Sequence, residues 1–350
     1  MQALLWVLFF SSILAFPLEP LHDIMEDGIP VNISRQDSRT IIKRESSLRY
    51  PGISFGHKCS AAEKEYIVIE LDEIQLVLEK AISKLDMLHY ALKNKAQPSL
   101  WGSREDDITR TLDNWLYYIT RIKLHSRIPR NEEHAPYPSL AQSTGNVERL
   151  KGIYQRMRAA LPQPTLSLII HCNDDFLSYR EDKSTSGKRV YEDTRGIEER
   201  TDEDITIAAT NTLCHDKTDQ NKITINGWTF RNIVSEKDEI CICPRTFQRA
   251  MSGGKYAKLA HFANNPSQLK HKALDHLFYG PIAGPLFHEL THSRNVLGDE
   301  RKEDKRYTRG SESKLAAGSL AIAGFATSHP DKSLENAGSY TTKARIWMIC

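Results

Sequence analysis

The chain has 350 residues, of which 47 are Lys or Arg and 45 are Asp or Glu, so its formal net charge is only +2. A near-neutral chain without a basic arm offers little attraction to nucleic acid or to an anionic membrane, and we expect neither as a partner. Its length is enough for one large domain or two modest ones with a substantial core.

The first element is an apolar run at residues 1–10, which gives way to small and polar residues and then to Pro17 and Pro20. We interpret residues 1–15 as a secretion signal, because the run is too short to span a membrane and no later run reaches about 18 apolar residues. The protein should therefore be secreted and extracellular.

Residues 16–57 contain scattered charges and prolines but no sustained apolar period, a composition that cannot form a core by itself. We expect a disordered segment or a propeptide, which a processing protease could remove at the dibasic pair Lys43-Arg44. A flexible linker is the alternative. The remaining domain would occupy residues 58–350.

Within that domain, residues 58–162 carry a helical pattern. Apolar residues recur three and four apart from Ala61 to about Lys95, which predicts a long amphipathic helix. Similar spacing predicts two further helices at 107–123 and 146–161.

Residues 163–350 change in texture, because short segments rich in Ile and Thr have the composition of strands. These segments are residues 165–172, 205–210, 222–225 and 239–243. We interpret the highly charged stretch 179–204 as a solvated loop and predict a further helix at 245–261. Helices before and after a small sheet indicate an α+β fold rather than alternating βαβ units.

The cysteines all lie beyond the signal segment. They number six: Cys59, Cys172, Cys214, Cys241, Cys243 and Cys350. An even number in a secreted chain predicts up to three disulfides, with the pairing left open. Cys241 and Cys243 lie on the same side of a strand and should not bond each other. Metal binding by this pair is the less favoured alternative.

A histidine motif stands out near the C-terminal end, where Pro285 to His292 reads PLFHELTH and Gly298 supplies a stop signal for a short helix. His288 and His292 are four residues apart, so both imidazoles lie on one helix face and can bind one zinc ion. Glu289 can remove a proton from water in the open coordination position. The pattern predicts a zinc peptidase; the alternative is a surface helix with two incidental histidines.

A catalytic zinc needs a third protein ligand. Gly298 occupies the position at which an extended motif has a third histidine, which excludes that class. Two acidic residues remain as the main alternatives, and Asp299, Glu300 and Glu303 are close enough to act as substitutes. Asp304 lies three residues before Tyr307, and Glu312 lies twenty residues after His292, at the start of a helix predicted at 311–326.

At these positions the chain resembles the deuterolysin-like fungal metallopeptidases called aspzincins, whose third zinc ligand is the aspartate of a GTxDxxYG motif. Asp304 and Tyr307 match that motif, whereas Arg301 and Lys302 replace its Gly-Thr and Thr308 replaces its last glycine. On this resemblance we favour Asp304 over Glu312 as the third ligand.

Further similarity to the family lies in the segment Asn336 to Tyr340, which resembles a stretch NADSY near its C-terminus, and in Cys241-Ile242-Cys243-Pro244, which resembles its strand ending in Cys-Pro. A cysteine opening a long helix and another close to the C-terminus are also similar. The resemblance covers residues 220–350 most clearly. It implies a zincin-like fold, mostly helical with a small sheet and an HExxH active-site helix.

The resemblance implies a secreted zinc endopeptidase that acts on proteins or peptides, and we expect a monomer made as a zymogen. Glu289 would be the general base, and Tyr307 would donate a hydrogen bond to the developing oxyanion. A strand near Ile223 or Ile240 could pair with the extended substrate. The alternatives are a gluzincin-type site with Glu312 and a secreted zincin-like binding protein that does not catalyse.

Overall fold

A computed structural model of the chain describes residues 49–93, 140–196, 199, 204–208, 211–214, 223–224, 226–232, 235–252, 283–309, 312–315, 322, 326 and 329–340. The predicted signal segment, the helix predicted at 107–123 and Cys350 lie outside the described residues.

The described helices follow the predicted pattern over most of their length. They are α1 (Ala61–Lys93), α2 (Leu140–Ala160), α3 (Pro244–Ser252), α4 (Ala283–His292) and α5 (Arg294–Leu297). A capping box starts α1, because the backbone N–H of Ser60 donates to Glu63 Oε2 and the backbone N–H of Glu63 donates to Ser60 Oγ. The long helix and the helix at 146–161 are confirmed, although α2 begins earlier, at Leu140.

The strands are short. They are β1 (Ile53–Phe55), β2 (Leu168–His171), β3 (Leu177–Tyr179), β4 (Lys188–Asp193), β5 (Ile205–Ala208), β6 (Asn211–Thr212), β7 (Ile223–Thr224), β8 (Gly227–Asn232), β9 (Lys237–Ile242), β10 (Arg306–Arg309) and β11 (Glu312–Leu315). The largest sheet has the order β1-β2-β9-β8, with the first three strands parallel and β8 antiparallel to β9. The chain is therefore a mixed α+β protein with small sheets.

Two stretches predicted to lack structure are ordered. The segment assigned to disorder as far as residue 57 includes β1, which adds to the edge of the main sheet beside β2. The charged stretch 179–204 includes β4, which lies between β3 and β5 in an antiparallel sheet. Ion pairs account for the second error, because Arg195 lies 2.5 Å from Asp193 of β4 and 2.7 Å from Glu239 of β9. Charges paired in this way can be buried inside a fold.

Strand positions decide which strand could accept a substrate. Ile240 lies on β9, whose two edges are occupied by β2 and β8, so the prediction that this strand pairs with a substrate is wrong. Ile223 lies on β7, which pairs with β6 in a separate two-stranded sheet. Among the described residues, β8 forms the edge of the main sheet beside α4.

The main core lies between one face of this sheet and the helices. The apolar stripe of α1 forms much of it, and Ile67, Leu71, Leu78 and Leu85 are fully buried. A smaller core on the opposite face of the sheet contains Trp228 together with residues of β3 and β4. Helix α4 packs against both α1 and β8, and this packing positions the histidine motif.

Two disulfides connect distant parts of the chain. Cys59 at the start of α1 bonds to Cys172 after β2, and Cys214 bonds to Cys243 after β9. Cys241 is a buried free thiol in the described part of the chain, and Cys241 and Cys243 do not bond each other, as predicted. In the described portion we also find no helix with the length and apolar character needed to cross a bilayer.

Candidate metal and catalytic site

Helix α4 holds the histidine motif in a largely buried setting. Its first described residue, Ala283, donates its backbone N–H to Glu70 Oε2 of α1 across 2.7 Å. A buried carboxylate at this end is favourable, because the N-terminus of a helix carries partial positive charge. Leu286, Phe287 and Leu290 are buried in the main core, which fixes the rotation of the helix.

Three possible metal ligands converge at the end of α4. The distances are 3.3 Å between His288 Nε2 and His292 Nε2, 3.1 Å between His288 Nε2 and Asp304 Oδ1, and 3.7 Å between His292 Nε2 and Asp304 Oδ1. Zinc bonds of about 2.1 Å in a tetrahedral arrangement place neighbouring ligand atoms about 3.4 Å apart. The three donor atoms therefore have the spacing that a zinc ion requires.

The orientation of His292 also suits a metal. Its Nδ1 lies 2.6 Å from the carbonyl oxygen of Lys302, so Nδ1 carries the proton and donates it to that carbonyl. The lone pair of the neutral ring is then on Nε2, the atom that faces His288 and Asp304. A backbone carbonyl in this place is a common partner of metal-binding histidines.

The opposite charges of His288 and Asp304 stabilise each other. Burial lowers the pKa of His288, but the charge of Asp304 and its hydrogen bond outweigh burial and raise the pKa to about 9. Burial raises the pKa of Asp304, but the nearby His288 and His292 hold it well below its usual range. The side chains of His288 and His292 are each 19% exposed and that of Asp304 is 35% exposed, so the cluster is open to solvent on one side.

Glu289 lies beside this cluster and is only 6% exposed. Its Oε2 accepts a hydrogen bond from the hydroxyl of Thr229, a residue of edge strand β8, across 2.8 Å. Burial raises the pKa of Glu289 and the negative charge of Asp304 adds to this, while His288, His292 and Thr229 act in the opposite direction. A carboxylate with a raised pKa beside partly exposed ligand side chains is suited to proton transfer.

The turn after α4 returns the chain to the site. Ser293 Oγ donates to Asp238 Oδ2 of β9 across 2.6 Å, and the backbone N–H of Asn295 donates to the same oxygen across 2.6 Å. Gly298 has φ of 63°, a conformation that favours glycine. Lys302 then donates its backbone N–H to the carbonyl of Thr291 across 2.7 Å. These contacts hold the loop that carries Asp304 beside the end of the helix.

The structure corrects the expectation for Glu312. The helix predicted at 311–326 would have presented this residue from its first turn, whereas Glu312 begins strand β11, paired with β10 in an antiparallel hairpin. Ile322 and Ala326 are helical and buried, so only the start of the predicted helix, at residues 312–315, is wrong among the described residues. The gluzincin-type alternative thus loses the helix on which it was based.

Tyr307 lies on β10, three residues after Asp304, and its backbone is paired with Lys314. Its side chain lies outside what the structure describes, so its predicted role as an oxyanion donor stays a prediction. Sequence reasoning missed Thr229, Asp238 and the carbonyl group of Lys302. No sequence signal marks them: Thr229 and Asp238 act through contacts 60 and 55 residues away, and the Lys302 group is a backbone carbonyl.

A second group of metal-binding residue types is present but differs in chemistry. Asp174, Cys214 and Cys241 bring their ligand atoms within 4.8 Å of one another. Cys214 is bonded to Cys243, and a disulfide sulfur lacks the thiolate charge with which cysteine binds metals. The histidine cluster is therefore the better metal site among the described residues.

Comparisons of the chain with models of protein families, with curated proteins and with solved structures found no match.

Proposed function

We propose that the chain is a zinc-dependent endopeptidase of the zincin type, similar to the aspzincins, with His288, His292 and Asp304 as the metal ligands. The observation that carries the proposal is the convergence of their three donor atoms at 3.1–3.7 Å, with Glu289 buried beside them. A zinc ion held there would lower the pKa of a water molecule in its open position and polarise a peptide carbonyl.

The residues of the chain account for the proton transfers of peptide hydrolysis. Glu289 accepts one proton from the attacking water as the new C–O bond forms, and it passes that proton to the amine nitrogen as the C–N bond breaks. Thr229 donates a hydrogen bond to Oε2 of Glu289, which leaves Oε1 available to accept the proton. Tyr307 would donate a hydrogen bond to the oxyanion that develops on the carbonyl oxygen.

Edge strand β8 supports a peptide as the substrate. The strand pairs with β9 on one side, and Thr229 within it contacts Glu289. An extended peptide that adds to the other side of β8 by backbone hydrogen bonds would run past the carboxylate. Such binding depends mainly on the peptide backbone, which fits an endopeptidase acting on proteins or peptides.

Secretion is the second part of the proposal. The two disulfides fit an oxidising compartment and the predicted signal segment at residues 1–15. Strand β1 begins at Ile53, so processing at Lys43-Arg44 would leave the main sheet whole.

The test is cleavage of a denatured protein substrate by processed, secreted protein, with zinc content measured on the same samples. Glu289→Gln should retain zinc, and its kcat should fall about 100- to 10,000-fold, because the general base is lost. Glu65→Gln, an exposed position on α1, is the matched control and should cleave normally. Substantial cleavage by Glu289→Gln would overturn the general-base role. Stoichiometric zinc without cleavage in the unaltered protein would favour the zincin-like binding protein.

A further inference from the structure

The third ligand of the proposed zinc site is on a loop rather than on a helix. Asp304 lies between the end of α4 and strand β10, and its side chain is 35% exposed. Arg301, Lys302 and Thr308 stand at positions where the aspzincin motif has Gly-Thr and Gly. Because these motif residues are replaced, we ask which other contacts fix the main chain around Asp304 in this protein.

Two hydrogen bonds flank Asp304, and both lead to the same short segment. On one side, the carbonyl of Glu303 accepts the backbone N–H of Ala337 across 3.1 Å. On the other side, the backbone N–H of Lys305 donates to the side-chain oxygen Oδ1 of Asn336 across 3.2 Å. Glu303 and Asn336 also form an isolated parallel bridge. Residues 336 and 337 thus hold the chain immediately before and after the metal ligand.

The segment that provides these contacts is itself firmly anchored. Asn336 is fully buried, and so is Tyr340, whose hydroxyl donates to the carbonyl of Leu334 across 2.8 Å. Tyr154 of α2 donates its hydroxyl to the carbonyl of Tyr340 across 2.8 Å and packs edge-on against the Tyr340 ring. The Tyr154 ring also contacts Phe287, the residue before His288. One packed unit therefore supports both the histidine helix and the Asp304 loop.

We propose that Asn336 is a positioning residue for the metal site, which holds Asp304 at ligand distance by accepting the backbone N–H of Lys305. This inference rests on the proposed zinc site. The effect of Asn336 is transmitted through the backbone N–H of Lys305, and partners of this kind typically contribute about 10- to 100-fold to metal affinity.

The test is a double-mutant cycle on zinc affinity, measured in the full processed chain by competition with a chromophoric chelator. Asn336→Leu keeps a side chain of similar size but removes the acceptor. Alone, it should weaken zinc binding about 10- to 100-fold. In the Asp304→Ala background it should have no further effect beyond about twofold, because the residue it positions is gone.

A purely structural role for Asn336 predicts a different pattern, in which Asn336→Leu weakens binding equally in both backgrounds. That outcome would overturn the proposal, as would unchanged zinc affinity in Asn336→Leu alone. Should Asn336→Leu fail to fold, the same cycle with Asn336→Ser decides, because serine remains polar but is too short to reach the N–H of Lys305. Failure of the zinc site itself is distinguishable, since Asp304→Ala alone would then leave zinc binding unchanged.

Discussion

The contact between Thr229 and Glu289 allows a sharp test of how the proposed general base is oriented. The hydroxyl donates to Glu289 Oε2 across 2.8 Å, and Glu289 is only 6% exposed. Thr229→Val keeps the shape of the side chain and removes the donor. A hydrogen bond to a charged group contributes about 1.5–3 kcal/mol, and about 1.4 kcal/mol corresponds to a tenfold change in rate. We therefore expect kcat to fall about 10- to 150-fold.

KM should change little in the same variant. The Thr229 side chain faces α4, whereas a substrate would pair with the backbone edge of β8, so binding of the peptide does not use the hydroxyl. Steady-state cleavage of a quenched fluorescent peptide separates the two constants. Zinc content is measured on the same samples and should stay at the level of the unaltered protein.

Two matched variants complete this experiment. Thr229→Ser restores the donor and should recover most of kcat, while Thr206→Val, at an exposed position on β5, should have no effect. Equal kcat in Thr229→Val and the unaltered protein would refute the reasoning. A serine variant as slow as the valine variant would show that packing of the methyl group, rather than the hydrogen bond, is what matters.

Other predictions concern packing, cross-links and the free thiol. A Cβ added at Gly227 would lie 2.9 Å from the carbonyl oxygen of Cys241 and 3.4 Å from Glu289 Cγ, so Gly227→Ala should displace β8 and lower kcat. A Cβ added at Gly187 meets nothing within 4 Å, so Gly187→Ala should leave kcat unchanged. Replacing both Cys59 and Cys172 by alanine removes a cross-link between residues 113 apart, and the free energy of unfolding measured in urea should fall by about 2–5 kcal/mol. Burial raises the pKa of the Cys241 thiol well above its usual value, so the reactive thiolate should not form in the folded protein. Peptide mapping after maleimide treatment should therefore find Cys241 modified only in unfolded protein. Modification in the native state would contradict its burial.

The sequence predicts best those features that depend on neighbouring residues. The apolar period of α1 and the spacing of His288 and His292 are local properties of a helix, and the structure contains both elements. The composition of β9 and its neighbours likewise predicted short strands. These patterns were sufficient for the α+β class and for two of the three converging ligands.

Features that depend on tertiary contacts were predicted poorly. The sequence of the stretch 179–204 predicts a solvated loop because it does not reveal distant partners such as Glu239, which lies 44 residues from Arg195 and pairs with it. The Ala-rich residues after Glu312 favour a helix at that position, whereas hairpin pairing with β10 determines its conformation. Thr229 lies in no motif, and the motif that begins at Asn336 does not indicate its contact with Lys305, since the two roles arise from contacts 60 and 31 residues away.

The most direct test of the proposed site is the amount of zinc bound per chain, determined by elemental analysis after gel filtration of the processed protein. The unaltered protein should hold about one zinc ion. Asp304→Ala should lose most of it, while Asp299→Ala, a substitution in the same loop at a side chain that is 92% exposed, should retain it. Full zinc content in Asp304→Ala, or its absence from well-folded unaltered protein, would contradict the assignment of His288, His292 and Asp304 as the ligands.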